Sequence, residues 1–106
     1  MSGSNHPRMI KSPFSRQQID GKRVYAKADR ELPEEGIIRA SDLNPLGLMS
    51  VELVFTYFSK PAQKTDAVFR LSERQVNQLK PSPDDRYDFI YDGILKPDNE
   101  VAESFK

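Results

Sequence analysis

Nine consecutive residues, Ser50-Val-Glu-Leu-Val-Phe-Thr-Tyr-Phe58, form the most apolar stretch of the chain and alternate as a strand does. With a side-chain period of two, Val51, Leu53, Phe55 and Tyr57 fall on one face of a strand, and Glu52, Val54, Thr56 and Phe58 on the other. A strand this apolar on one face needs neighbouring strands and a covering layer to bury it, which commits the chain to a β-containing fold. The second face poses a question of its own. Val54 and Phe58 lie there beside Glu52 and Thr56, and they need a cover: the N-terminal arm through Phe14 and Ile19, the C-terminal segment, or another protein.

The flanking sequence supplies further strands. Lys22 to Ala28 alternates Val24, Ala26 and Ala28 with Arg23, Tyr25 and Lys27, and Gly36 opens a second run at Ile37–Ser41. After the polar loop at 60–65, Asp66 to Leu71 puts Ala67, Phe69 and Leu71 on one face. Ser72-Glu-Arg-Gln75 is a capping-box signature and predicts one or two helical turns before Pro81. Residues 83–95 read two ways. Pro83 with the following carboxylates suits a helix start, while Asp92-Gly93 suits a strand turn; Gly93 favours the strand, because it would weaken a helix by roughly 1 kcal/mol.

The expected fold is therefore mainly β: one small curled sheet or barrel of four to five strands with one short helix. Over residues 21–95 this element order resembles the Src-homology-three type of small barrel, where a short helical turn separates the last two strands; no motif accompanies the likeness, which implies fold alone. Residues 1–19, with two prolines and scattered basic groups, read as an irregular basic arm. Residues 20–96, opening at the Asp20-Gly21 turn, form the β-rich domain, and 97–106 an acidic frayed tail.

Net charge is zero but unevenly spread. Residues 1–30 carry seven Lys/Arg against two Asp/Glu, and residues 81–106 carry three against seven. A basic front and an acidic end can attract each other within or between molecules. There is no cysteine and only one histidine, His6 in the arm, so Cys–His zinc sites and His-assisted nucleophiles have nothing to be built from. No apolar run approaches the roughly 20 residues of a membrane span. The expectation is a non-enzymatic, soluble, cytoplasmic protein with no cofactor and no membrane contact.

Three residue groups bear on chemistry. Asp84, Asp85, Asp88 and Asp92 match no metal-wrapping loop and have Arg86 among them. Ser41-Asp-Leu-Asn-Pro-Leu-Gly47 resembles the Asp-x-Ser-x-x-Gly element that helps PilZ domains hold cyclic di-GMP, matching at Asp42 and Gly47 with Asn44 in place of Ser; the upstream Arg-x-x-x-Arg is not reproduced at Arg8–Lys11 or around Arg16. In the basic front, Lys22, Arg23, Lys27 and Arg30 surround Tyr25, a mix that grips phosphate and stacks a base.

Two functions follow as expectations. The first is a small regulatory, adaptor or inhibitor module that binds a protein partner or itself, with Tyr25, Val54, Phe58 and Tyr91 as contact residues. The second is a nucleic-acid-binding small barrel using Lys22, Arg23, Tyr25, Lys27 and Arg30.

Overall fold

The Ser50–Phe58 alternation becomes the centre of β3 (Met49–Lys60), which pairs antiparallel with β2 (Glu35–Asp42) on one side and β4 (Gln63–Arg70) on the other. The computed structural model describes residues 10–42, 48–60 and 63–101. Within them β1 (Arg23–Ala28) joins β2 antiparallel, and β6 (Phe89–Leu95) joins β1 in parallel. Two short strands, β5 (Leu79–Pro81) and β7 (Glu100–Val101), finish the edges. The result is one curled, open half-barrel in the order β5-β6-β1-β2-β3-β4-β7.

Mainly-β architecture was legible in the sequence, but the described residues hold seven strands rather than four or five. β5 and β7 have three and two residues, too short for a period of two to show. The helix count also changes. Besides α2 (Glu73–Val76) there are α1 (Arg16–Ile19) and a 3-10 turn at Pro97–Asn99. Both α-helices start with reciprocal capping boxes, Ser15 with Gln18 and Ser72 with Gln75. Ser15-Arg-Gln-Gln18 carries the same signature that flags α2, so α1 was detectable.

α1 ties the first residues into the domain. Ile19 is fully buried, Ile10 bridges to Met49, and Phe14 packs edge-on against Phe89 at 5.4 Å between ring centroids. The expected boundary at residue 20 therefore falls inside a continuous packing unit. At that point Gly21 adopts φ +79°, a left-handed conformation that suits glycine, and its N–H donates to the Ile38 carbonyl at 2.7 Å.

The core lies inside the curl. Val24, Ala26, Ile38, Ala40, Val51, Leu53, Phe55, Ala67 and Phe69 alternate inward along β1 to β4, and Leu71 just after β4 and Leu79, Tyr91 and Leu95 from β5 and β6 join them. Phe55 and Phe69 meet edge-on at 5.9 Å, and full burial of each is worth about 1.5–3 kcal/mol. Phe55 also sets the identity of residue 36. A Cβ there would come within 2.8 Å of the Phe55 ring, so only glycine lets the ring lie on β2.

Candidate functional site

Register sorts the outer face of β2, β3 and β4 into rows, because paired residues on neighbouring strands point the same way. Ile37, Val54, Val68 and Val101 form an apolar row across β2, β3, β4 and β7. On one side of it lies an ionic row, Arg39, Glu52 and Arg70. On the other side lie Thr56 and Asp66, joined by a 2.7 Å hydrogen bond, with Glu35 at the start of β2.

The ionic row is internally matched. Arg39 donates to Oε1 of Glu52 and Arg70 to Oε2, with shortest contacts of 2.7 and 3.1 Å, so a carboxylate only 8% exposed has both oxygens satisfied. The apolar row is matched less well. Val68 is 2% exposed, but Ile37 remains 42% exposed and Val54 half-exposed, while Phe58 farther along β3 is 71% exposed. A shallow depression of about 310 Å³ opens here, lined by Pro33, Glu35, Gly36, Ile37, Val54 and Thr56.

This geometry answers the question of the second face of β3. Phe14 and Ile19 go to Phe89 and the core, not to Val54 and Phe58. Glu52 is covered by its two arginines. Val54 stands next to Ile37 and Val68, and Phe58 projects from the β3–β4 hairpin. Ile37 was not among the expected contact residues; the signal was available, since it sits two residues from Arg39 and Glu35 on the polar face of a strand.

The expected contact residues separate. Val54 and Phe58 are on the outer face. Tyr25 is also outward, half-buried with its ring 5.3 Å from that of Tyr87. Tyr91 is a core residue: it is 5% exposed, its hydroxyl donates to Oε1 of Gln78 at 3.2 Å, and burial pushes its phenol above the ordinary value. It faces away from the other three.

The basic front is partly spent within the fold. Arg23 lies 3.7 Å from the Asp88 carboxylate and donates to the Asp85 carbonyl, while Arg30 meets Glu100 at 2.6 Å. Among the described residues, Lys22 and Lys27 have no ion-pair partner and remain exposed. The acidic end is likewise distributed. Asp88 also accepts the Arg23 N–H, Asp92 takes Lys80 at 3.4 Å, and Asp84 takes Arg86 at 2.8 Å. The Arg86 side-chain hydrogen bond holds the Asp84 carboxyl below its usual range, and the same contact raises Arg86, whose guanidinium lies 5.6 Å from the Tyr87 ring centroid. Among the described residues no His, Cys, Asp or Glu groups gather to hold a metal, and no helix is long and apolar enough to cross a membrane.

Of the string that resembles the PilZ element, Asp42 ends β2; Asn44 and Gly47 lie outside the described residues, as does His6. Arg16 of α1 reaches Asp42, Nε to Oδ2, at 3.4 Å. No family model matches the chain, and neither the curated proteins nor the solved structures contain a match.

Proposed function

We propose that this protein acts by binding another polypeptide through the outer face of β2 and β3. The supporting observation is the pair Ile37 and Val54, Cα partners in register, which line a depression and keep apolar surface in contact with solvent beside a row where two arginines share one carboxylate. An apolar centre with polar groups at its rim is the anatomy of a protein contact. Phe58, on the same strand, adds an aromatic anchor within reach of the same partner. Catalysis is no part of the reading.

The test is affinity capture with the wild-type chain and with Ile37→Asp, alongside Phe58→Ser, after circular dichroism has shown that each variant keeps its strands. Selective loss of captured protein in Ile37→Asp supports the reading. Equal capture by the wild type and both variants would sink it.

A second reading rests on the Arg16–Asp42 pair. That contact places Arg16 of α1 against Asp42, the matching Asp of the string that resembles the PilZ element, so an anionic nucleotide such as cyclic di-GMP is the ligand to try there. Calorimetric titration of cyclic di-GMP into wild type and Arg16→Ala tests it, with no heat in the wild type as the negative result. The nucleic-acid reading draws only on Lys22, Lys27 and Tyr25, since Arg23 and Arg30 are engaged by carboxylates.

A further inference from the structure

The outer face repeats one order of side chains on two strands. At alternate positions β2 presents Glu35, Ile37 and Arg39, and β4 presents Asp66, Val68 and Arg70: acid, apolar, base in each case. Both strands run antiparallel to β3 and hence parallel to each other, so the register aligns the bands. The face has a basic side, where two guanidiniums meet one carboxylate, an apolar middle, and an acidic side at Glu35 and Asp66.

Such a face is complementary to itself. Rotation by 180° about an axis lying along the apolar row places Ile37 over Ile37 and Val54 over Val54. The same rotation lays the basic side of one copy on the acidic side of the other, Arg39 over Glu35 and Arg70 over Asp66. This is the self-matching patch that a two-fold contact requires. The depression between the apolar and acidic rows lies under the Arg39 stem of the second copy. The rotation leaves the contacts of Arg39 and Arg70 with Glu52 in place.

We infer that the occupant of the outer face is a second copy of this chain, in a face-to-face two-fold dimer. The inference rests on the reading of that face as a protein-binding surface and names the partner. Three strands about 4.8 Å apart crossed by three rows about 6.8 Å apart offer roughly 300 Å² per copy, well under half of what a standard stable interface buries on each side. The dimer is therefore weak, and it strengthens at low salt because charge bands align it.

Sedimentation velocity of the full chain, from micromolar to millimolar concentration at low and high salt, reads the association directly. A reversible dimer favoured by low salt is expected. Glu35→Arg, at an exposed position whose carboxylate also feels Arg86 of its own chain, sets like charges against each other twice across the dimer and should weaken it about tenfold or more without changing the circular dichroism.

Because the chain has no cysteine, Ile37→Cys gives a second readout free of background. A short bismaleimide, which spans the roughly 10 Å between face-to-face sheets, should link Ile37→Cys chains at least about tenfold faster than Ile94→Cys chains, whose exposed residue lies on β6, away from the axis. A chain that stays monomeric at every concentration, with no faster linkage at 37 than at 94, overturns the dimer. If the monomer's Ile37→Cys, carrying a photo-crosslinker, instead joins a different protein, the dimer falls and the protein-binding reading stands. No adduct of either kind overturns both.

Discussion

Glu52 and Arg39 sit opposite each other on β3 and β2, and a single carboxylate oxygen of Glu52 accepts from both Nε and Nη2 of the Arg39 guanidinium, at 2.9 and 2.7 Å. Arg70 does the same to the second oxygen from β4, at 3.3 and 3.1 Å. Removing the carboxylate leaves two cations adjacent with nothing between them. Glu52→Ala is expected to lower stability by about 1–3 kcal/mol, the range for hydrogen bonds to charged groups discounted for the exposure of the arginines. Glu52→Gln keeps an acceptor and should lose less. Urea denaturation measures both, as a fall in midpoint at unchanged slope. A Glu52→Ala midpoint equal to that of the wild type would mean the ionic row contributes nothing.

Gly36→Ala should be among the most damaging single-methyl changes in the chain. The added Cβ meets two Phe55 ring carbons and the Val54 carbonyl oxygen at 2.8 Å, and the two strands involved, β2 and β3, are held together by their ladder. Overpacking of this kind costs about 1–3 kcal/mol. Combining it with Phe55→Leu should recover part of the loss, so that the double variant is less unstable than the sum of the two single ones. Strict additivity in thermal denaturation would show that the ring is not what residue 36 touches.

The two capping boxes look alike but are not equivalent. Gln18 is exposed and serves only Ser15, whereas Gln75 caps Ser72 and also exchanges two hydrogen bonds with Asn99, at 2.8 and 3.0 Å. Asn99 in turn donates to the Arg70 carbonyl, which ties the 3-10 turn to the end of β4. Gln75→Ala is therefore expected to cost about 1–2 kcal/mol and Gln18→Ala about 0.5 kcal/mol or less. Amide hydrogen exchange should also speed up around residues 99–101 in Gln75→Ala alone.

Burial raises the Tyr91 phenol above its ordinary value of 10.0. The folded state thus resists ionisation more than the unfolded chain does. The associated stability is present in full below the ordinary value and is lost as pH rises through the higher folded one. Thermal midpoints measured from about pH 8 to pH 11.5 should fall more steeply in the wild type than in Tyr91→Phe, which has no proton to lose there. Parallel curves for the two proteins would count against a buried Tyr91.

Much of the sheet was readable from short-range pattern. Alternation in 22–28, 50–58 and 66–71 and the run that Gly36 opens at 37–41 located β1 to β4, Asp20-Gly21 located a turn, and Gly93 tipped 89–95 toward β6. What pattern missed was short or bound by distant partners. β5 and β7 exist because β6 and β4 offer free edges for pairing, and Ile10 and Ile19 entered the core through contacts with strands far along the chain. Of the expected contact residues, Val54 and Phe58 lie on the outer face and Tyr91 faces the core, because alternation tells which residues share a face and not which face is covered.

The sequence alone determined which residues could share a strand face, since a period of two follows from backbone geometry and needs no partner. It also determined the two helix starts, because a capping box closes within four residues. Only the tertiary structure decided which faces meet. Register brought Glu52 between Arg39 and Arg70 and Ile37 beside Val54, turned Tyr91 inward against Gln78, and matched Arg23 and Arg30 with carboxylates more than sixty positions away. Those pairings depend on how strands are ordered and shifted relative to one another, and that is fixed by the packing of the whole core at once.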